Sequence, residues 1–191
     1  MNWLKEIEAY VPDGEQEKTD QRVILEFSRK NRETVLSRSN PLAHFTSSAF
    51  IVNQACDKVL MVFHKLRNTW AWPGGHADGN SDLLAAAENE IREETGLIRF
   101  SPVLTKIISL DILLMEGHTK KGVYINPHLH FSAAYLFEAD DCIPLRHCPE
   151  ENTAAEWIGI DQIQPGQFSQ ADVTLYQKIL TRAEHIRSTP R

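Results

Sequence analysis

Glu90, Glu93 and Glu94 are the residues of this chain best placed to do chemistry. Spaced i, i+3 and i+4, they share one face if the segment is helical. Three carboxylates on one face repel one another, and no lysine follows any of them four positions on to relieve that. A hard divalent cation bound through oxygen offsets such repulsion, and magnesium typically works beside substrate phosphates. The segment is entered through Trp72-Pro73-Gly74-Gly75 and left through Thr95-Gly96, where the glycine suits a left-handed helix cap. The plain alternative is a charged, solvated helix face, which is what most charge runs are.

Gly75, Glu90, Ile91, Glu93, Glu94, Gly96 and Leu97 fall in register with G-x5-E-x7-R-E-U-x-E-E-x-G-U, where U is a bulky apolar residue. The segment therefore resembles the Nudix hydrolase signature, without insertion, over about an eighth of the chain. Two positions depart. Ser81 stands where the family has Glu, with Asp82 beside it, and Asn89 stands where the family has Arg. The resemblance implies an α/β fold, a Nudix-type α/β/α sandwich with a mixed β-sheet, whose motif forms a loop-helix-loop that carries metal. It implies attack of water on a diphosphate linked to another group, often a nucleoside diphosphate derivative, with Mg²⁺ (or Mn²⁺) as cofactor. By motif position it implies Glu90, Glu93 and Glu94 as metal ligands, with the backbone carbonyl of Gly75. Members differ in their general base. Glu90 is one candidate, and Glu150 and Glu151 in a late loop are others; Glu151 joins the three helix carboxylates in the expected catalytic set.

The Glu–Arg pair that Ser81 and Asn89 replace is implied to steady loop and helix. Losing both leaves no orphan charge, and Asn89 is expected to hydrogen-bond Glu93 one turn on. The departures also keep a second reading open, a non-catalytic Nudix-fold domain that binds a nucleotide or a protein. An isopentenyl-diphosphate isomerase-like enzyme is a weaker rival, since that group departs further from the signature, and an unrelated acidic protein is a third.

Histidines form a second group. His128 and His130 lie two apart, so on a strand they face the same way, and His76 follows the Gly-Gly pair. Such residues bind metal, contact phosphate or simply line a polar sheet face. Trp70 and Trp72 could stack on a base, although one of the two is expected to be a core anchor. Arg67 could pair with a phosphate. Arg67, Trp72, His76, His128 and His130 make up the expected substrate-contact set.

Elements must position these residues. Residues 1–43 read as an N-terminal helical arm, with Trp3, Leu4, Ile7 and Tyr10 at helical spacing, a break at Pro12-Asp13-Gly14, and a second helix from about Glu15 to Lys30. A further helical turn is expected near residues 33–36. Residues 44–191 read as the Nudix domain with a closing helix. Strands are expected at 45–52 and 58–63 as a hairpin, one or two within 100–114, then 128–138 and 154–158. The motif helix is expected from about Ser81 to Thr95, capped by Ser81 or Asp82. Residues 116–122 read as a polar turn, 140–152 as a loop and 169–186 as the last helix.

The chain has 191 residues, enough for one domain with a full core. Its net charge of −6 argues against a nucleic-acid polymer as partner, because such binding rests on Lys and Arg. Cys56, Cys142 and Cys148 form no disulfide framework, and the Cys142-His147-Cys148 spacing fits no usual zinc pattern. No signal peptide or membrane span is expected, so the protein reads as soluble and cytoplasmic. Its expected partners are a small-molecule diphosphate and a second copy in a homodimer; the arm could cap the domain, form that dimer contact or shape the substrate pocket.

Overall fold

The computed structural model describes residues 3–120 and 122–188. The ends of the expected arm and domain, residues 1–2 and 189–191, and residue 121 lie outside them. The chain runs α1 (Trp3–Ala9), α2 (Gly14–Lys30), β1 (Ala43–Asn53), β2 (Lys58–His64), β3 (Thr69–Ala71), β4 (Gly74–His76) and α3 (Leu83–Thr95). It continues with β5 (Phe100–Pro102), β6 (Ser109–Met115), β7 (His118–Lys120), β8 (Val123–Ile125), β9 (His128–Ala139), β10 (Asn152–Gly159) and α4 (Gln170–Ser188).

The sheet is mixed, in the order β10-β2-β1-β9-β5. β1 and β9 pair in parallel along eleven rungs, from Ala43 opposite Leu129 to Asn53 opposite Ala139. The other edge of β1 is shared: Ile51 and Val52 pair with β2, while Thr46, Ser47 and Ser48 pair with β4. β3 joins β2, and β6 joins β9.

Strand alternation splits the core in two. Phe45, Ala49 and Ile51 of β1 and Phe131, Tyr135 and Phe137 of β9 cluster with Ile7 of α1, Ile24 of α2 and Ala87 and Ile91 of α3. Phe50, Val52, Ala134 and Leu136, from the other face, cluster with Val173, Tyr176 and Ile179 of α4. Arm and α3 on one side and α4 on the other make an α/β/α sandwich, as the signature implies. Burying each large apolar side chain contributes roughly 1.5–3 kcal/mol.

A buried ionic knot ties the arm to the rest. Glu17 of α2 is 0% exposed. Arg182 of α4 reaches its two oxygens with Nη1 at 2.7 Å and Nη2 at 2.8 Å. Lys178 Nζ lies 2.8 Å from Glu17 and 2.5 Å from Asp111 of β6. The Tyr10 hydroxyl and the Asp13 amide also donate to Glu17. Burial alone would raise the Glu17 carboxyl, but these donors, Arg182 foremost, hold it down at about 2.

Three segments differ from expectation. Residues 33–36 form hydrogen-bonded turns without a helix. The expected polar turn at 116–122 instead opens a separate hairpin of β7 and β8, carried by the β-forming Val123, Tyr124 and Ile125. The approach to the motif contains β3 and β4, so the Gly-Gly pair lies on a strand edge rather than in a loop.

Candidate active site

The motif helix is held at both ends by local chemistry. Asp82 is its N-cap, its carboxylate accepting from the Ala85 amide at 3.0 Å. Gly96 closes it in the left-handed conformation, φ 67°. Leu83, Ala87 and Ile91 bury one face against the sheet, so Glu90 and Glu94 are carried to the margin of the buried face while Glu93 stays exposed.

Glu94 is 3% exposed. One oxygen accepts from the Gly74 amide at 2.8 Å and the other from Asn152 Nδ2 at 3.0 Å. Glu90 lies directly against Gly75. A Cβ built on Gly75 would collide with the Glu90 carboxylate, so glycine here lets that carboxylate keep its position against β4. The start of β10 completes the assembly through Asn152, whose own Oδ1 is buried without a partner.

Charge is left uncompensated here. Among the described residues no Lys or Arg pairs with Glu90, Glu93 or Glu94; the nearby Arg92 is taken by Glu88. Burial, then the charges of Glu94, Glu93 and Glu151, raise the Glu90 carboxyl to about 8. Burial raises Glu94 to about 7 against the opposing hydrogen bonds from Asn152 and Gly74. Glu151 is half-exposed, 3.4 Å from Lys120, and its charge is felt by both helix carboxylates. The helix trio, oxygen-rich and with no Lys or Arg paired to it among the described residues, suits a hard divalent metal. Glu150, by contrast, is exposed, and its carboxylate accepts from the Cys148 thiol at 3.2 Å.

The two departures from the signature lie outside this contact set. Ser81 and Asn89 are exposed. The expected bond from Asn89 to Glu93 is not formed; Asn89 Oδ1 accepts from Arg92 at 3.4 Å, because Arg92 is drawn back along the helix by Glu88.

Two expected substrate contacts are engaged within the protein. Arg67 Nη2 meets both oxygens of Asp172 in α4, at 2.9 and 2.7 Å. Trp72 is buried against Phe50 and Tyr176, making it the core anchor of the tryptophan pair. Trp70 packs edge-on to Phe63.

The histidines come together, with one addition that sequence reasoning missed. His44, His76, His128 and His130 each present a ring nitrogen within 4.8 Å of the others. Sheet register explains it: His44 lies opposite His130 across the parallel pair, and His76 lies opposite Thr46, two positions on from His44 on the same face. Burial, reinforced by the neighbouring imidazoles, pushes His130 down to about 2, and burial likewise pushes His76 to about 4. His44 carried no local signal, since only the β1–β9 pairing brings it near the others.

The NUDIX domain family profile matches residues 43–179. The chain is 26% identical over 139 residues to a bis(5'-nucleosyl)-tetraphosphatase [asymmetrical] of Rattus norvegicus, covering 72% of this chain and 82% of that protein. It is similar in fold to a Nudix hydrolase from M. smegmatis (TM-score 0.56, 15% identity, 78% of this chain and 90% of that one). A NUDIX-family hydrolase from Clostridium perfringens is comparable (TM-score 0.54, 19% identity, 73% and 97%).

Proposed function

The chain belongs to the NUDIX family and is an enzyme of the pyrophosphohydrolase class, and on that premise we propose that it hydrolyses a diphosphate linkage in a nucleoside diphosphate joined to another group. We assign Glu90, Glu93, Glu94 and the Gly75 carbonyl to hold the divalent cation, Mg²⁺ or Mn²⁺. The observation that carries this reading is geometric: Glu94 is buried and held by Gly74 and Asn152, Glu90 lies against Gly75, and among the described residues no Lys or Arg pairs with either or with Glu93. When bound, the cation neutralises phosphate oxygens and acidifies water.

The chain's own groups divide the remaining work. Gly74 and Asn152 fix both oxygens of Glu94, so this ligand is oriented before substrate arrives. Gly75 leaves the room that Glu90 occupies. Glu151, near both but open to solvent, is the group assigned to take the proton from the attacking water as the phosphoanhydride P–O bond breaks. Arg67 and Trp72 have no part in it. Among the described residues no helix is long and apolar enough to cross a membrane, and the three cysteines are free, which supports the cytoplasmic setting proposed here.

The test is release of phosphate or nucleotide from ADP-ribose, nucleoside triphosphates and diadenosine polyphosphates, with Mg²⁺, Mn²⁺ or chelator. The last class is included because the Rattus norvegicus relative is named for such a substrate. Metal-dependent turnover of one member, lost in Glu93→Gln, upholds the reading. A protein that binds Mg²⁺ yet turns over none of them overturns it in favour of a binding domain.

A further inference from the structure

The geometry points to a second metal site, separate from the carboxylates, in which His44, His76, His128 and His130 bind one divalent transition-metal ion of the zinc type. Four imidazoles from three strands, β1, β4 and β9, converge with ring nitrogens within 4.8 Å of one another. Polar sheet faces rarely place four histidines together by chance of alternation. These are inward and crowded, with His44 and His128 only 4% and 7% exposed.

Two of the rings are already fixed as ligands would be. His44 Nδ1 lies 3.0 Å from the Asn40 carbonyl, and His128 Nδ1 lies 2.8 Å from the Asn126 carbonyl. A carbonyl only accepts, so each Nδ1 carries the hydrogen and each Nε2 keeps its lone pair. This backbone bond from the distal nitrogen is the usual support of a metal-bound imidazole. The His44 Nε2 so aimed is buried and has no hydrogen-bond partner, a deficit that a buried acceptor normally avoids. His128 Nε2 sits 3.2 Å from His130 Nε2. That spacing is close to the edge of a tetrahedron about a zinc ion with Zn–N near 2.0–2.1 Å, which is about 3.3 Å.

The donor set decides the metal. Four neutral nitrogens suit zinc, copper, nickel or iron and not magnesium, which demands oxygen. Four protein ligands leave no open position, so the site is structural. It would clamp β4 to β1 and β9, and β4 carries Gly74 and Gly75, against which Glu94 and Glu90 rest. The inference does not depend on which substrate the carboxylate site takes, or on whether it turns one over.

The experiment loads full-length protein, stripped with chelator, with Zn²⁺ or Co²⁺. It then measures metal per chain after desalting, the visible cobalt bands and the thermal midpoint. The variants are His130→Gln and His76→Gln, at half-buried positions, His44→Asn at the buried one, and Glu93→Gln as control; circular dichroism checks that each folds. The expected result is a single zinc equivalent per chain, a tetrahedral cobalt spectrum and a raised midpoint, all kept in Glu93→Gln. In His130→Gln zinc affinity should fall more than about tenfold. No zinc retained by the wild type, or zinc lost in Glu93→Gln but kept in His130→Gln and His76→Gln, overturns the proposal.

Discussion

Glu17 and Glu94 are the same side chain, both withdrawn almost wholly from water, and the protein treats them oppositely. Glu17 meets Arg182, Lys178 and Tyr10 and is held at about 2. Glu94 meets one backbone amide and one carboxamide, with Glu90, Glu93 and Glu151 nearby, and rises to about 7. In the first region the counter-charge is covalently part of the chain, so the carboxylate serves as a rivet between arm and domain. In the second it is left out, and the role proposed above for the carboxylate is that of a socket. A buried carboxylate with its counter-charge contributes to architecture; one without costs stability.

The largest effect should come from taking the rivet's partner away. Arg182→Ala leaves Glu17 buried with Lys178 as its one remaining cation among the described residues, and should lower the unfolding free energy by about 3 kcal/mol in urea titrations, with little change in turnover per folded molecule. A loss under about 1 kcal/mol would mean that Lys178 alone compensates Glu17 and the contrast is overdrawn. Next comes the socket. Glu94→Gln should reduce kcat by more than about a hundredfold while stability holds or rises, because a repelled buried charge is removed. The new amide can donate to Asn152 once that side chain flips to present Oδ1. A variant as active as wild type would remove Glu94 from the site.

Acidity separates the two regions by sign. Without metal, Glu90 and Glu94 have folded values of about 8 and about 7 against an ordinary 4.5, so between those limits the folded state holds more protons than the unfolded one. Stability should therefore rise as pH falls from about 8 toward 6.5, below which the buried neutral His76 and His130 oppose it, and saturating Mg²⁺ should flatten that rise. The Glu17 contribution runs the other way: it is complete above 4.5 and disappears as pH falls toward about 2, with or without metal. Urea midpoints across pH, with Mg²⁺ and with chelator, read both; a metal-free midpoint that is level from pH 8 to 6.5 would contradict the first. The smallest effect belongs to the departures from the signature. Ser81→Glu with Asn89→Arg changes two exposed positions and should leave stability within about 0.5 kcal/mol and activity near wild type. A collapse of turnover would show that those positions govern the carboxylates after all.

What the sequence disclosed follows the range of the interactions. Helix α3 was legible because its caps and its carboxylate spacing are local, and Asp82 and Gly96 act where their types suggest. The sandwich came with the signature. Asn152 and Arg182 were not legible, because each meets its glutamate from a distant part of the chain, 58 and 165 positions away. His44 was hidden in the same way, and although a strand is expected at 45–52, the polar Thr46-Ser47-Ser48 gave no hint that it is buried on both faces. The hairpin of β7 and β8 was misread because polar residues at 116–122 look like a turn whether or not strands flank it.

The parallel pairing of β1 with β9 also dictates an order of events during synthesis. Each rung joins residues roughly eighty-six positions apart, from Ala43 and Leu129 to Asn53 and Ala139. A ribosome must therefore finish β9 before β1 gains the neighbour on that edge. Until then the arm and the motif helix have only half a sheet to rest on, and the high sequence separation predicts slow closure relative to a helical protein of this size. The hydrogen-bonding edge of β1 that faces β9 is unpaired over that interval, so the nascent chain is most prone to mispairing and to chaperone capture while β5 to β8 are being made.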